Sequence, residues 1–275
     1  MPTIHPTAIL EGDIDLADDV VIGPNCVLTG AAGPVKVGAG TTLIGNVYLH
    51  GPLTMGAGNV VYPFACLGFA PQHVKYDPRK PGMGLSIGDG NTFREGVTIH
   101  RAFVEDRPTI IGSRNYFMAG SHAGHDCRVG DDCTFVNNAL LGGHVEVGDK
   151  VTIGGVTGVH QFVRIGRGAM LSGGVGTTLD VPPFFMLTEI NRIGGLNIVG
   201  LRRGGFSHDQ IDDARWVFRM LYRQGMTVRS ALNVLRERAE RPMVAEYIAF
   251  IEASKRGICT ARGRRRSVMA REDEV

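Results

Sequence analysis

Residues 111–176 read IGSRNYFMAGSHAGHDCRVGDDCTFVNNALLGGHVEVGDKVTIGGVTGVHQFVRIGRGAMLSGGVG. Every sixth residue of this stretch is large and apolar, with Ala123 as the one small member of the series. The large members are Ile111, Phe117, Val129, Phe135, Leu141, Val147, Ile153, Val159, Ile165 and Leu171. A period of six differs from the helical period of about 3.6 and the strand period of about 2. It is typical of a parallel β-helix of hexapeptide repeats, in which each unit forms one short strand and one turn.

The period also predicts which residues lie above one another. If three hexapeptides complete one coil, residues eighteen apart stack at about the spacing between strands, about 4.8 Å. We then expect His125, Gly143 and Gln161 in one column, and Asp126 and His144 in the column beside it. A histidine, an unobstructed glycine amide and a histidine–carboxylate pair therefore converge on one edge of the predicted solenoid.

Composition limits the classes of protein that fit this chain. It has 275 residues, 43% of them hydrophobic and 20% charged, with a formal net charge of +2. This balance favours a globular protein and gives no indication of a nucleic-acid partner. We see no signal-peptide pattern at the start and no apolar run long enough to span a membrane. Five cysteines without a CxxC pair indicate a reducing, cytoplasmic location rather than a disulfide or zinc framework.

The repeat and its interruptions predict the domains. It begins at Ile4 and continues to about residue 190, which predicts a β-helix domain over 1–193 with loops at 69–86 and 101–109. A helical domain is predicted over 194–256, because a glycine-rich connector at 194–205 is followed by a capping box of Ser207 and Gln210. Two more helices are expected at about 228–239 and 243–255. The arginine-rich and then acidic tail, 257–275, is expected to be disordered and solvated.

The segment HAGHD at 122–126 predicts the chemistry of the solenoid edge. A histidine can take a proton from a hydroxyl at neutral pH, and a carboxylate beside it fixes the tautomer and stabilises the imidazolium. The N–H of Gly143, one coil from His125, is suited to stabilise an oxyanion. No serine or cysteine is placed as a nucleophile in this group, so direct transfer to a hydroxyl fits better than a covalent intermediate.

A metal-dependent reaction is the alternative chemistry for so many histidines. Trimeric hexapeptide proteins can bind zinc between subunits through histidines. The zinc hydratases of this architecture use two histidines five residues apart and a third farther upstream, whereas this chain has HxxH followed by Asp126. We therefore expect no metal.

Several longer motifs resemble those of the UDP-N-acetylglucosamine acyltransferases, in the order of that family and over essentially the whole chain. They are IHPTAI (4–9), HAGHDC (122–127), NNALLGGHV (137–145), VHQF (159–162), DVPP (180–183) and NIVGLRRGGFS (197–207). The resemblance implies a left-handed parallel β-helix followed by a small α-helical domain, and a homotrimer with active sites between adjacent subunits. It implies transfer of a 3-hydroxyacyl group from acyl carrier protein to the 3-hydroxyl of UDP-N-acetylglucosamine, the first step of lipid A biosynthesis. No separate cofactor is implied, because the acyl donor is carried on the phosphopantetheine of the carrier protein.

The same resemblance implies roles for individual residues. His125 would be the general base, Asp126 its partner and the Gly143 amide the oxyanion donor. The substrate-binding positions would be Gln72, His73, Lys75, His100, His122, His144, Gln161, Gly173, Asn197 and Arg203. Among these, Gly173 matches the position that limits acyl length, whereas Asn197 and Arg203 match a pair that contacts the nucleotide and its phosphates.

Two positions depart from the family pattern. His73 stands where an acidic residue is common, which leaves open whether the acceptor is UDP-N-acetylglucosamine or its 3-amino analogue. Gly204 stands where a second basic residue is often found, so phosphate contact would be weaker or supplied elsewhere.

Two other functions remain alternatives. One is a related hexapeptide N-acyltransferase, which normally carries an additional N-terminal domain; a repeat that begins at Ile4 leaves no room for it. The other is a scaffold that binds a sugar nucleotide without catalysis. The expected convergence of His125, Asp126 and Gly143 argues against a scaffold, which needs no base beside an open amide.

Overall fold

The chain from Thr3 to Glu189 winds through a parallel β-solenoid in the computed structural model, which describes residues 1–77, 79–104 and 106–261. Each full coil contributes one short strand to each of three stacks, which we call the first, second and third faces. Register between neighbouring coils is eighteen residues from Thr109 to Thr177, so that Leu140 pairs with His122 on one side and with Gly158 on the other. It is twenty-one residues where strand Val27–Val37 carries an insertion, as between Val27 and Tyr48. The predicted coil of three hexapeptides is confirmed.

The strands of each face are as follows. The first face contains Thr3–Ile4, Val21–Ile22, Thr42–Leu43, Val60–Val61, Thr92–Phe93, Tyr116–Phe117, Thr134–Phe135, Thr152–Ile153, Met170–Leu171 and Phe185–Glu189, extended by Arg192–Leu196 and Thr260–Ala261. The second face contains Leu53–Met55, Leu85–Ile87, Thr109–Ile111, Arg128–Val129, Glu146–Val147 and Arg164–Ile165. The third face contains Tyr48–His50, Cys66–Phe69, Thr98–His100, His122–Ala123, Leu140–Leu141, Gly158–Val159 and Gly176–Thr177. Ile9–Leu16 and Val27–Val37 are long enough to take part in both the second and third faces.

Two residues of each hexapeptide fill the interior of the solenoid. The large apolar residue is buried; Phe93, Phe117 and Phe135 stack along the axis, with ring centroids 5.3 and 4.2 Å apart. Four positions after the large residue a smaller one is also buried, as at Cys127 and Cys133. These cysteines are free thiols and fill the core as small apolar side chains.

Both predicted loops interrupt the solenoid. Strand pairing stops after Phe69 and resumes at Leu85, and it stops again after His100 and resumes at Thr109. Leu85 nevertheless pairs with Thr109, so the coils close beneath the insertions and the second face continues. The loops therefore leave the scaffold without disturbing it.

A buried arginine joins the two loops. Arg101 begins the second loop and its side chain is fully buried. Its guanidinium donates to the carbonyl oxygen of Gly68 at 3.3 Å and to that of Lys80, in the first loop, at 2.8 Å. This cation holds the two loops together over the same edge of the solenoid.

Four helices follow the solenoid in the described part of the chain: α1 (Ile198–Arg203), α2 (His208–Tyr222), α3 (Val228–Arg236) and α4 (Pro242–Glu252). The predicted capping box is present at the start of α2, where Ser207 and Gln210 satisfy each other's backbone N–H groups. Helix α1 lies in the segment predicted as a glycine-rich connector. The third and fourth helices end about three residues before their predicted ends, which is within the usual error for helix boundaries. A β-helix followed by a helical region is confirmed as the fold class.

The domain boundaries differ from the prediction at two points. Strand Arg192–Leu196 crosses the expected boundary at 193/194. Ile258 and Cys259, placed in a disordered tail, are 7% and 0% exposed, and the Cys259 N–H donates to the Asp180 carbonyl at 2.8 Å. The side chains of Ile258 and Cys259 pack in the core, although the charged composition of 257–275 predicted a disordered tail. The arginine-rich part of the predicted tail, 262–275, lies outside the described residues. Within those described, no helix has the length and apolarity needed to cross a membrane.

Candidate active site

The sequence-predicted catalytic residues lie at the corner that joins the third face to the second, which we call the His125 corner. Its turns are stacked: the His144 N–H donates to the His125 carbonyl at 2.9 Å, and the Phe162 N–H donates to the Gly143 carbonyl at 3.1 Å. The second residue of each turn has positive φ, 62° at Asp126 and 61° at His144, a conformation that Asp and His tolerate. The predicted columns of this corner are therefore confirmed.

His125 and Asp126 form a directly hydrogen-bonded pair. His125 Nδ1 lies 2.5 Å from Asp126 Oδ2, and the carboxylate is fully buried. The backbone N–H groups of Phe103 and Val104, both in the second loop, also donate to this carboxylate at about 3.1 Å. Burial raises the pKa of the Asp126 carboxyl, but the hydrogen bonds from His125, Val104 and Phe103 outweigh burial and lower the pKa overall. Asp126 therefore remains an anion, which orients His125 with Nδ1 protonated and Nε2 free to accept a proton.

Gly143 leaves its corner open for the ring of His125. A Cβ atom at residue 143 would lie 2.7 Å from His125 Cε1 and 2.8 Å from Nε2, so any side chain would displace the imidazole. Among the described residues, no protein acceptor takes the Gly143 N–H. A free amide beside the base is the arrangement needed to bind an oxyanion.

Further histidines line one cavity with this pair. The cavity has a volume of about 400 Å³. It is lined by Gln72, His73, His100, His122, Gly124, His125, Gly142, Gly143, Val159, His160 and Gln161. Seven of these were predicted as substrate-binding or catalytic positions: Gln72, His73, His100, His122, His125, Gly143 and Gln161. The structure brings them together from the first loop and from successive coils of the solenoid.

Burial lowers the pKa of two histidines of this cavity, His100 and His122. His100 Nδ1 donates to the Ala70 carbonyl at 2.6 Å, and burial lowers the pKa of His100. Burial, followed by repulsion from His100 and His125, lowers the pKa of His122 to about 4. Neutral imidazoles offer both a donor and an acceptor, which suits a ligand rich in hydroxyl groups.

Three aromatic and polar residues of the site were missed by sequence reasoning. The Phe103 ring lies 5.7 Å from that of His125 and 4.6 Å from that of His73. The Phe162 ring stacks on that of His144 at 4.4 Å. Thr98 Oγ1 lies 2.8 Å from His122 Nδ1. The eighteen-residue period could have placed Phe162 beside His144, but it could not place Phe103, which depends on how the second loop folds.

An apolar groove continues from the cavity along the third face. It has a volume of about 650 Å³ and shares Gln72, His122 and His160 with the cavity. It also shares Gly142 and Val159 with the cavity, and Leu140, Gly158, Gly176 and Ile190 are among its other lining residues. Gly158 and Gly176 occupy outward positions of their strands and project no side chain into the groove, which leaves room for a hydrocarbon chain.

Five predicted binding residues do not line this cavity, and one of them, His144, lies at the His125 corner with Nε2 3.5 Å from Asp126 Oδ2. Lys75 is exposed, and its backbone N–H donates to His73 Nδ1 at 3.2 Å. Gly173 lies beside Gly155, at the corner joining the first and third faces. Asn197 and Arg203 line a separate cavity of about 700 Å³ against the first face, together with Met170 and Met186.

The Asn197 side chain is also committed to local structure. It caps α1 by accepting from the Gly200 N–H at 2.9 Å, and it donates to the Gly168 carbonyl at 3.0 Å. Its amide group therefore already has partners within the chain, and in the structure of one chain it lies apart from His125.

Three groups of the His125 corner are close enough to bind a metal ion. Ligand atoms of His125, Asp126 and His144 all lie within 4.8 Å of one another. The short hydrogen bond between His125 and Asp126 already occupies two of these groups. The geometry is thus compatible with an acid–base pair and also gives the metal hypothesis a specific place to be tested.

A hexapeptide solenoid that presents a carboxylate-bound histidine beside a free amide defines a hexapeptide-repeat acyltransferase. Two curated proteins named acyl-[acyl-carrier-protein]–UDP-N-acetylglucosamine O-acyltransferase are similar to this chain. The one from Thermodesulfovibrio yellowstonii is 42% identical over 94% of this chain and 100% of its own length, and the one from Verminephrobacter eiseniae is 42% identical over 94% and 99%. The chain belongs to the UDP-N-acetylglucosamine O-acyltransferase family.

Two further comparisons agree with this assignment. The crystal structure of Francisella novicida UDP-N-acetylglucosamine acyltransferase superposes with a TM-score of 0.90 at 31% identity, covering 95% of each chain. The family model described as UDP N-acetylglucosamine O-acyltransferase, domain 2, matches residues 180–259. That range includes all four helices and the buried Ile258 and Cys259.

Proposed function

We propose that this protein transfers a 3-hydroxyacyl group from acyl carrier protein to the 3-hydroxyl of UDP-N-acetylglucosamine, the first step of lipid A biosynthesis. The names of its relatives support the donor and the acceptor. The observation that carries the reaction type is the His125–Asp126 pair beside the free N–H of Gly143. No further cofactor is needed, because the acyl group arrives on the phosphopantetheine arm of the carrier protein.

The chemistry is a direct acyl transfer. His125 Nε2 accepts the proton of the sugar 3-hydroxyl while that oxygen attacks the thioester carbonyl carbon. The Asp126 carboxylate stabilises the resulting imidazolium through Nδ1–H, and the oxyanion accepts a hydrogen bond from Gly143. Collapse of the tetrahedral intermediate breaks the C–S bond. The imidazolium returns its proton to the thiolate, which leaves an ester, a free phosphopantetheine thiol and a neutral His125.

The cavity and the groove divide the substrates between them. We assign the sugar to the cavity, where neutral His100 and His122, together with Gln72 and Gln161, contact its hydroxyl and amide groups. We assign His144, at the adjoining His125 corner, to the same substrate. We assign the acyl chain to the apolar groove along the third face, which begins at the cavity. Lys75, exposed on the first loop, is assigned to contacts at the entrance.

A homotrimer would complete the site. We infer that the acyl-length position Gly173 and the nucleotide pair Asn197 and Arg203 face a neighbouring subunit's His125 corner, since they lie on other faces of their own chain. Large apolar side chains exposed on the solenoid support association, with Val156 67% and Leu140 45% exposed. We also propose a cytoplasmic location, supported by the free thiol state of all five cysteines.

The test is acyl transfer from a panel of 3-hydroxyacyl carrier proteins to UDP-N-acetylglucosamine, with wild type and a His125→Ala variant. We expect product with the wild type and a loss of about 10²–10⁴ in the variant, because this is the usual contribution of a general base. Product at the wild-type rate from His125→Ala would mean that another residue is the base. If no donor gives product, the assay should be repeated with the 3-amino sugar nucleotide as acceptor. Absence of product with that acceptor as well would favour a non-catalytic scaffold.

A chelator experiment separates acyl transfer from metal chemistry at the same corner. Dialysis against EDTA should leave the transfer rate unchanged, because every step above uses protein groups alone. Loss of activity that zinc restores would instead assign His125, Asp126 and His144 as metal ligands.

A further inference from the structure

Phe162 has an unusual backbone conformation for its residue type. It is the second residue of a turn, with φ of 65°. Of the thirteen non-glycine residues with positive φ in the described chain, seven are Asn, Asp or His, which tolerate this region. Bulky apolar residues do not, and holding one there strains the backbone.

Burial does not account for this strain. Phe184 also has positive φ, but its side chain is 3% exposed and packs in the core. Phe162, in contrast, is 51% exposed, so its ring gains little from removal from water. A glycine or an asparagine would form the same turn with less strain, so the fold of one chain gives no reason for phenylalanine at residue 162, or at the similarly exposed Phe64. What distinguishes Phe162 is the ring it contacts.

The contacts of Phe162 all point to the catalytic corner. Its ring lies flat on the imidazole of His144, with centroids 4.4 Å apart and planes 11° apart. Its backbone N–H donates to the Gly143 carbonyl at 3.1 Å. His144 in turn places Nε2 3.5 Å from Asp126 Oδ2, with its ring 5.2 Å from that of His125.

We infer that Phe162 is a positioning residue, whose ring fixes the plane of the His144 imidazole so that Nε2 faces Asp126 at the His125 corner. An imidazole rotates readily about its χ2 torsion, which has broad minima, and a flat aromatic neighbour removes that freedom. Misplacement of a binding group by about 1 Å can cost as much as about 10²-fold in rate. This inference rests on the proposed acyl transfer, since it assigns Phe162 to that reaction.

The test compares Phe162→Gly and Phe162→Tyr with a matched control, Phe64→Gly. Phe64 is also an exposed phenylalanine at positive φ in a solenoid turn, but it lines neither the cavity nor the groove. We expect Phe162→Gly to lower kcat/KM by about tenfold without lowering the melting temperature. Phe162→Tyr, which keeps the ring, should retain wild-type kcat/KM, and Phe64→Gly should leave it unchanged.

A double-mutant cycle separates positioning from direct substrate contact. If Phe162 acts through His144, adding Phe162→Gly to His144→Ala should cause no further loss of kcat/KM. An equal loss in both backgrounds, or none in either, would overturn the inference, as would loss of activity that follows a lowered melting temperature. Absence of product from the wild type with every acyl donor would instead count against the proposed function, so the two failures are distinguishable.

Discussion

Gly143 contributes to the site because it has no side chain, which leaves room for the His125 ring. The backbone of residue 143 does not need positive φ, so alanine can adopt its conformation. A methyl group there would nevertheless lie within 2.8 Å of two atoms of the His125 ring, closer than real Cβ contacts. The imidazole would have to move away from both Asp126 and the Gly143 N–H.

We therefore predict that Gly143→Ala lowers kcat by about 10²-fold while the melting temperature stays within about 2 °C of wild type. Steady-state kinetics and thermal melting measure the two quantities. Gly195→Ala is the control, because a Cβ atom at residue 195 meets no atom within 4 Å. Full activity in Gly143→Ala would show that the ring position seen beside Gly143 is not required for catalysis.

The partly buried His122 is predicted to make stability depend on pH. Its pKa, lowered to about 4 by burial, is well below the ordinary value of 6.5 that it regains on unfolding. Between these values the unfolded chain binds a proton that the folded chain does not, so stability falls as the pH decreases from 6.5 to 4. The difference corresponds to about 3 kcal/mol for His122, and the lowered pKa values of His100 and His144 act in the same direction. Asp126 has a lowered pKa as well, but its contribution is lost only below about pH 4.

The predicted result is a free energy of unfolding that is constant above pH 7 and declines from pH 6.5 to 4.5, measured by urea denaturation. In His122→Gln the decline should be smaller, since one of the protons taken up on unfolding is removed. His208→Gln, at an exposed position of α2, should follow the wild-type curve. Identical pH dependence in all three proteins would show that His122 is not buried as a neutral group.

At the scale of elements, Asp126 joins the solenoid to the second loop. Its carboxylate accepts from the backbone N–H groups of Phe103 and Val104, and its own N–H donates to Thr109 Oγ1 at 2.8 Å. One residue therefore orients His125 and also holds the loop that places Phe103 against the His125 ring. Removing the Asp126 carboxylate should loosen the second loop and also leave the His125 ring without its hydrogen-bond partner.

Hydrogen exchange can separate these two roles. In Asp126→Ala, the amides of Phe103 and Val104 should exchange about 10–100-fold faster, because hydrogen bonds to a buried charge contribute about 1.5–3 kcal/mol each. In His125→Ala, which is expected to be as inactive, the carboxylate remains and these amides should keep their protection. Equal exchange in Asp126→Ala and wild type would mean that the loop is held by other contacts, such as those of Arg101.

The solenoid could be predicted from the sequence because its backbone hydrogen bonds fix the register. An eighteen-residue repeat leaves one way to stack His125, Gly143 and Gln161, and the structure follows it. The loops carry no such constraint. The sequence shows where they leave the coils, but the position of His73 against Phe103 depends on the tertiary contacts of Arg101 and Asp126.

A sequence motif identifies a residue but does not show whether its side chain contacts a ligand or another part of the same chain. Asn197 matches a nucleotide-binding position, yet its side chain caps α1 and bonds to Gly168. Cys259 was assigned to a disordered tail because charged residues follow it, although Cys259 itself completes the core beside Asp180. In both cases the decisive contact is made with a residue distant in sequence, which no local pattern reports.

For the molecule as a whole, the arrangement of the predicted site residues favours an assembly. The His125 corner and the Asn197–Arg203 cavity are lined by separate sets of residues against different faces. On the proposed roles of these residues, a substrate that contacts both would lie between two chains, and cyclic symmetry would then repeat the site once per subunit. Each site of the proposed trimer would take His125 from one chain and Arg203 from the next.

This arrangement predicts complementation between two inactive chains. His125→Ala and Arg203→Ala, each expressed alone, should have little activity, because every site lacks either the base or the phosphate ligand. When they are co-expressed in equal amounts, each mixed trimer has one site in three that combines an intact His125 with an intact Arg203. Because about three quarters of randomly assembled trimers are mixed, activity should recover to about a quarter of wild type. If both residues served the same site within one chain, no mixed trimer would contain an intact site and co-expression would restore nothing. Size-exclusion chromatography with light scattering supplies the necessary control, since a chain that is monomeric in solution would exclude complementation whatever the kinetics.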